Sequence, residues 1–190
     1  YDGGIRVPGM VQWPGHVTAG TVSDEPVCGV DMLPTLCELA GAPVPVDRVL
    51  DGATFTPVFA GGQVQRHRPL YWQFNRAGSD IKVAVRDRQW KLVARLTTPN
   101  LPPSGSITAE EMATLKTTQL TGFALYDLKT DIAEETDLSA TKVEVFNRLK
   151  AQMEELFHEI QAECPIWPEW EFARYESKRI EWPEYRRKKK

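Results

Sequence analysis

The chain is 190 residues long, 42% hydrophobic and 26% charged, a balance that excludes a disordered polypeptide and suffices for one packed domain, or for a domain piece with a small second domain. Lys and Arg number 23 against 26 Asp and Glu, and the net charge of −3 gives the chain as a whole no nucleic-acid character. No apolar run approaches the roughly 20 residues that cross a bilayer, and Cys28, Cys37 and Cys164 lack the short paired spacing of a zinc knuckle, a redox pair or a disulfide framework.

The first stretch, YDGGIRVPGMVQWPG, opens without Met on turn-forming residues, with apolar side chains following within five positions. It reads as the inside of a longer folded polypeptide. Residues 7–13 are predicted to form a strand, closed by the turn signal Pro14-Gly15. In SDEPVCGVDMLPTLCELAGAPVP, Asp31 caps a helix whose first turn tolerates Pro34; Leu33, Leu36 and Ala40 share a face, and Gly41 with Pro43 ends it. Cys28 and Cys37 flank that helix and read as small buried apolar residues. A strand apolar on both faces, followed by a helix, is the grammar of an α/β layer structure.

Residues 50–62 are loop-like and end in Gly61-Gly62, and the polar run QVQRHR after them marks a boundary. PLYWQFN and IKVAVRDRQWKLVARL then alternate as strands, with a turn at 87–89 pairing the two halves of the second segment antiparallel. Residues 97–122, rich in Pro, Ser, Thr and Gly, read as a surface insertion with one short helix at 109–116; FALYDL supplies a further strand. Phe146, Leu149, Met153, Leu156, Phe157 and Ile160 follow three- and four-residue spacing, which predicts a long amphipathic helix covering one face of a small antiparallel sheet. Everything beyond Cys164-Pro165 is an aromatic and charged tail.

Familiar catalytic patterns are missing. His158-Glu159 lacks the second His of a zinc-protease helix, since Ala162 stands at that position. There is no G-x-S-x-G elbow, no phosphate-cradling glycine loop and no Asp-rich calcium loop, and His16 and His67 sit in polar, turn-like surroundings.

The informative residues are organisational. YDGGIRVPGMVQWPG resembles the YEGG-x-R-x-P…W-P-G segment of the sulfatases, formylglycine-dependent sulfuric ester hydrolases with an alkaline-phosphatase-like core. Tyr1, Gly3, Gly4, Arg6, Pro8, Trp13, Pro14 and Gly15 agree, and Asp2 stands where Glu is usual. VDMLPTLCELAG, LDGATFTPVFAGG, AVRDRQWKLV and LYDLKTDIAEETDLS resemble further segments of that family, in the family's order. Ile132 replaces a usual Pro and Asp137 a usual Asn in the last of them, changes that bear on loop shape rather than on chemistry.

The resemblance implies a fold class. Residues 1–65 are expected to be the C-terminal piece of an α/β three-layer catalytic core, 66–165 a small α+β subdomain, and 166–190 the tail. It also implies that the catalytic machine lies upstream: an active-site Lys, the Cys of a C-x-P-S-R motif that becomes formylglycine, and the ligands of a calcium ion. No cysteine here sits in that motif. The implied chemistry is attack on sulfur by a hydrated aldehyde, with metal and cationic side chains stabilising the transferred group.

No catalytic or metal-binding residue is therefore expected in this chain, and neither calcium nor formylglycine is expected to be held by it. Asp2, Gly3, Gly4, Gln73, Asn75 and Arg76 are the candidate substrate-binding residues: the glycines let backbone approach a sulfate, and the others fall where the small subdomain reaches a pocket rim. Arg6 reads first as an internal ion-pair partner. Uncovered apolar surface is expected along 7–13 and on the Leu33 helix. The expected partners are a sulfate-ester small molecule or sulfated glycan and the N-terminal remainder of the same polypeptide, with no nucleic acid and no membrane span, in a periplasmic or secreted setting. The alternative is a non-catalytic binding module acting through Trp167, Trp170, Trp182 and the basic run at 186–190.

Overall fold

Between residues 70 and 127, side chains that alternate in polarity fold into a four-stranded antiparallel sheet with its strands in sequence order: β1 Leu70–Gln73, β2 Ile81–Asp87, β3 Trp90–Leu96 and β4 Leu120–Asp127. The structure is a computed structural model and describes residues 1–101 and 108–164. Asp87 pairs with Trp90 across a two-residue turn, where Arg88 adopts the left-handed backbone (φ 55°) that tight hairpins favour. The expected hairpin at 87–89 is therefore present. β4 starts at Leu120, three residues before the apolar run that announced it.

Val83, Val85, Leu92, Ala94 and Leu125 point to one face of the sheet. Helix α4, Val143–Glu163, lays Leu149, Met153, Leu156 and Phe157 on them, with Phe146 packed at the edge, so the three- and four-residue spacing becomes the core. Ile160, predicted to share that stripe, is exposed in the helix's last turns. The opposite face carries Ala84, Val93 and Tyr126, joined by Leu128. It also carries one transverse row, Leu70, Arg86, Lys91 and Tyr126, in direct cross-strand register.

The N-terminal block holds a single helical turn, α1 Asp2–Ile5, a 3-10 turn Gly29–Asp31 that runs into α2 Met32–Leu39, and a 3-10 turn Thr56–Ala60. The predicted strand at 7–13 does not form. A strand needs a hydrogen-bonded neighbour, and no described backbone pairs with this segment, whose Val7, Met10 and Val11 are exposed. The described part of 1–65 is thus helical and irregular, whereas the sheet and α4 form an α+β unit. Helix α2 also differs from its apolar reading: Pro34 and Thr35 face inward, while Leu33 and Leu36 are about half exposed. Its inward face is set by polar bonding, because the Thr35 hydroxyl donates to the Asp31 carbonyl and accepts the Phe55 N–H. Cys28 and Cys37 are half-buried rather than buried, and no disulfide links the three cysteines.

The insertion between β3 and β4 contains α3, Ala109–Thr117, started by a reciprocal capping box in which Glu111 accepts the Thr108 N–H and the Thr108 hydroxyl accepts the Glu111 N–H. It is anchored rather than loose: Gln161 of α4 donates to the carbonyls of Leu115 and Thr118, and Lys116 donates to the carbonyl of Gln161. The expected tail residues Trp167, Trp170, Trp182 and 186–190 lie outside the described residues. No described helix is long and apolar enough to cross a membrane.

Leu149 is fully buried at the centre of the sheet–helix core. Leu149→Ala is expected to lower unfolding free energy by about 2–5 kcal/mol, seen as a lower urea midpoint at unchanged m-value.

Candidate functional site

Lys91 points from β3 into the face opposite α4 and is completely buried. An ammonium in that position requires carboxylates at contact distance. It has two: Nζ donates to Asp2 Oδ1 and to Glu134 Oε1, each at 2.9 Å. The same Glu134 oxygen accepts the backbone N–H of Asp2, so one carboxylate holds both the helical turn α1 and the lysine that binds it. Glu134 reaches inward from a left-handed backbone conformation, φ 57°, which costs a non-glycine residue of order 1 kcal/mol and persists where surrounding contacts over-determine it. Arg86, next to Lys91 in the transverse row, stands 3.6 Å from Asp2 Oδ2, so two carboxylates face two cations. Arg6 is half exposed, 4.0 Å from Asp2 and 3.9 Å from Asp24.

A second clasp forms around Asp31. Its buried carboxylate accepts the N–H groups of Cys28 at 2.7 Å and Ala53 at 2.9 Å and receives the Arg66 guanidinium bidentately, at 2.5 and 2.7 Å. Burial works to raise the acid's pKa, but the hydrogen bonds from Arg66, Ala53 and Cys28, with the Arg66 charge, outweigh it and hold the carboxyl below its ordinary value. Gly52 explains why a glycine precedes Ala53: a Cβ there would lie 2.0 Å from the Val30 carbonyl oxygen.

The predicted rim residues meet at the other end of β1. Burial pushes the Tyr71 phenol up, keeping it neutral, and its hydroxyl donates to Gln73 Oε1 at 2.8 Å; Gln73 Nε2 in turn donates to Asn75 Oδ1 at 3.0 Å. Arg76 is mostly buried, 3.5 Å from Glu111 of α3. Phe74, between the two amides, is 65% exposed. Gln73, Asn75 and Arg76 therefore form one group, whereas Asp2, Gly3 and Gly4 lie by Arg86 and Lys91 at the opposite end of the sheet. Gly3 and Gly4 are exposed; Asp2 is 4% exposed, with Oδ1 bonded to Lys91 and Oδ2 3.6 Å from Arg86.

A separate cleft of about 490 Å³, lined among others by Pro26, Arg66, Arg88, Trp90 and Arg148, contains none of these candidates. His16 stacks on Trp13, and His67 bonds the Leu50 carbonyl from an exposed position.

Among the described residues no group of His, Cys, Asp and Glu is arranged to hold a metal ion. The buried carboxylate oxygens without a hydrogen-bond donor, Asp2 Oδ2 and Glu134 Oε2, belong to a clasp that Lys91 and Arg86 already neutralise, so a divalent cation there would face two positive charges. Sequence reading missed Lys91, Glu134 and Arg66 as functional side chains. The signal was available for the first two, as the charged letters of the fourth and fifth motif segments.

A sequence model of the family described as "N-sulphoglucosamine sulphohydrolase, C-terminal" matches residues 1–101. Steryl-sulfatase of Rattus norvegicus is 38% identical over 107 residues, 56% of this chain and 18% of its own length. Arylsulfatase A of Homo sapiens is 32% identical over 141 residues, 73% of this chain and 27% of its own length. The chain thus spans about a fifth to a quarter of these curated relatives. The crystal structure of Ps i-CgsB, in complex with k-i-k-neocarrahexaose, superposes with a TM-score of 0.57 at 24% identity, covering 90% of this chain and 33% of that one.

Asp31→Asn is expected to cost about 3–5 kcal/mol by stranding the buried Arg66 charge. Since the folded-state pKa lies below the unfolded value of about 3.9, the carboxylate's contribution is complete above pH 4 and lost as pH falls through the folded value. The gap in unfolding free energy between the unaltered chain and the Asp31→Asn variant, followed by denaturant titration from pH 7 to 2, should therefore narrow only below about pH 4.

Proposed function

The chain belongs to the sulfatase family, in its C-terminal part, and we propose on that basis that it is the C-terminal portion of an enzyme hydrolysing the sulfate esters of aryl or carbohydrate alcohols. One observation carries the reading. All five segments that resemble the family supply a residue to the two buried clasps: Asp2, Lys91 and Glu134 to the first, Asp31 and Ala53, with Gly52 beside it, to the second. Motifs that hold this architecture together are what a shared fold must keep.

In this reading residues 1–65 complete an alkaline-phosphatase-like three-layer catalytic domain, 66–165 form its α+β subdomain and 166–190 its tail. The exposed apolar side chains of Val7, Met10, Val11, Leu33 and Leu36 pack against the N-terminal remainder of the same polypeptide. That remainder supplies the formylglycine nucleophile, the calcium ligands and an export signal to the periplasm or exterior. Gly3 and Gly4 offer backbone to the sulfate, with Asp2 holding their turn in place, and Gln73 and Asn75, at the opposite end of the sheet, contact a part of the substrate remote from the sulfate, on a loop that Arg76, braced by Glu111, fixes.

Turnover tests this. The polypeptide that contains this chain should release sulfate from an aryl sulfate or a sulfated sugar, whereas the 190-residue chain alone should release none. Absence of turnover on both ester classes overturns the reading, and turnover by the chain alone overturns the assignment of the catalytic groups to the remainder. In the active polypeptide, Gln73→Ala and Asn75→Ala should each raise KM about 3- to 10-fold with kcat nearly unchanged, the effect of one lost hydrogen bond in substrate binding.

A further inference from the structure

The connection from β1 to β2, residues 74–80, carries Phe74, Asn75 and Arg76 and follows directly on Gln73. Such a connection has backbone carbonyls to satisfy, and two of them, of Ala77 and Ser79, turn back toward the start of β2. Lys82 meets them. Its residue is 6% exposed, and Nζ donates to Ala77 O at 2.5 Å and to Ser79 O at 2.6 Å. Among the described residues no carboxylate stands at salt-bridge distance from this ammonium; Asp80 attracts it from further off, and its hydrogen-bond partners are neutral carbonyls of the loop itself. A cation withdrawn from water for two carbonyl bonds is a poor contribution to stability. It is an effective way to fix a loop's shape, because one rigidly mounted strand residue grips the backbone at two points.

We propose that Lys82 is the positioning residue of the rim loop, setting substrate affinity by fixing where Gln73 and Asn75 present their amides. The outer side of the loop is held in a complementary way: Asn100 donates to Asp80 at 2.8 Å, and Arg76 lies against Glu111, whose carboxylate also caps α3. From inside, Phe74 N–H extends the β1–β2 ladder by bonding Lys82 O at 2.9 Å, and the Ala77 N–H closes a turn on Phe74 O. Lys82 thus contributes backbone to the ladder and side chain to the loop, and couples the two. The proposal rests on the reading that Gln73 and Asn75 touch substrate.

The test uses the complete polypeptide containing this chain, with Lys82→Met, Lys82→Arg, Gln73→Ala and Asn75→Ala variants. Hydrogen exchange of a peptide spanning 70–82 and steady-state kinetics on a sulfate ester that it turns over are measured for each. Lys82→Met should speed exchange in 74–80 at least about 10-fold and raise KM about 10-fold while kcat moves less than about 3-fold; Lys82→Arg, which keeps donors for both carbonyls, should restore most of both. Unchanged exchange in Lys82→Met overturns the positioning role outright. Faster exchange with unchanged KM, while Gln73→Ala and Asn75→Ala do raise KM, also overturns it. If those two variants leave KM unchanged as well, the rim reading itself has failed and takes the proposal with it.

Discussion

The buried ammonium of Lys91 constrains everything around it. Placed on a strand facing away from α4, it could be stable only with anionic partners, and it obtains them from positions 89 residues before it and 43 after it. One side chain thereby fixes three segments that share no secondary structure: α1, the third strand, and the turn that follows the fourth. The backbone bond from Asp2 to Glu134 closes the triangle, so displacing any one member strands a charge on the other two. Such clusters contribute specificity of arrangement more than net free energy. The apolar layer under α4 supplies the latter through Leu149, Met153 and Phe157.

The sheet and its helix were legible because their signals are local. Alternation along IKVAVRDRQWKLV and three- and four-residue spacing from Phe146 to Phe157 depend only on neighbours within the same element. Residues 7–13 and the Leu33 face of α2 have equally apolar sequences, yet hydrophobicity reports only that a segment prefers cover, not what provides it. In α2 the orientation was decided instead by the Thr35 hydroxyl and the Asp31 carboxylate, whose partners Phe55, Ala53 and Arg66 lie 20 to 35 residues away. No periodicity encodes a hydrogen bond across that distance.

The site was legible in part. Gln73, Asn75 and Arg76, read as rim residues from their place at the end of YWQFN, lie together at the end of β1 and on the loop that follows it; Asp2, read from its place in the YDGG segment, has its carboxylate engaged by Lys91 and Arg86. A motif letter says that a residue type is required, not whether substrate or protein requires it. Burial decides it for Asp2, which is 4% exposed; Gln73 and Asn75 are half-buried, with the exposed Phe74 between them.

The span of the Lys91 clasp also imposes an order in time. The ribosome delivers Asp2 first, Lys91 well after it and Glu134 last, so α1 leaves the exit tunnel carrying a carboxylate whose counter-charge has yet to be made. The N-terminal turn is committed to its final place only once the segment after β4 has emerged. A nascent chain halted between residues 91 and 134 would hold a lysine facing one carboxylate instead of two, and one halted before 120 would lack β4 as well, leaving β3 as a raw edge. Within the clasp the carboxylate made last closes on the turn made before it, and α4, which covers the other face of the sheet, is made later still.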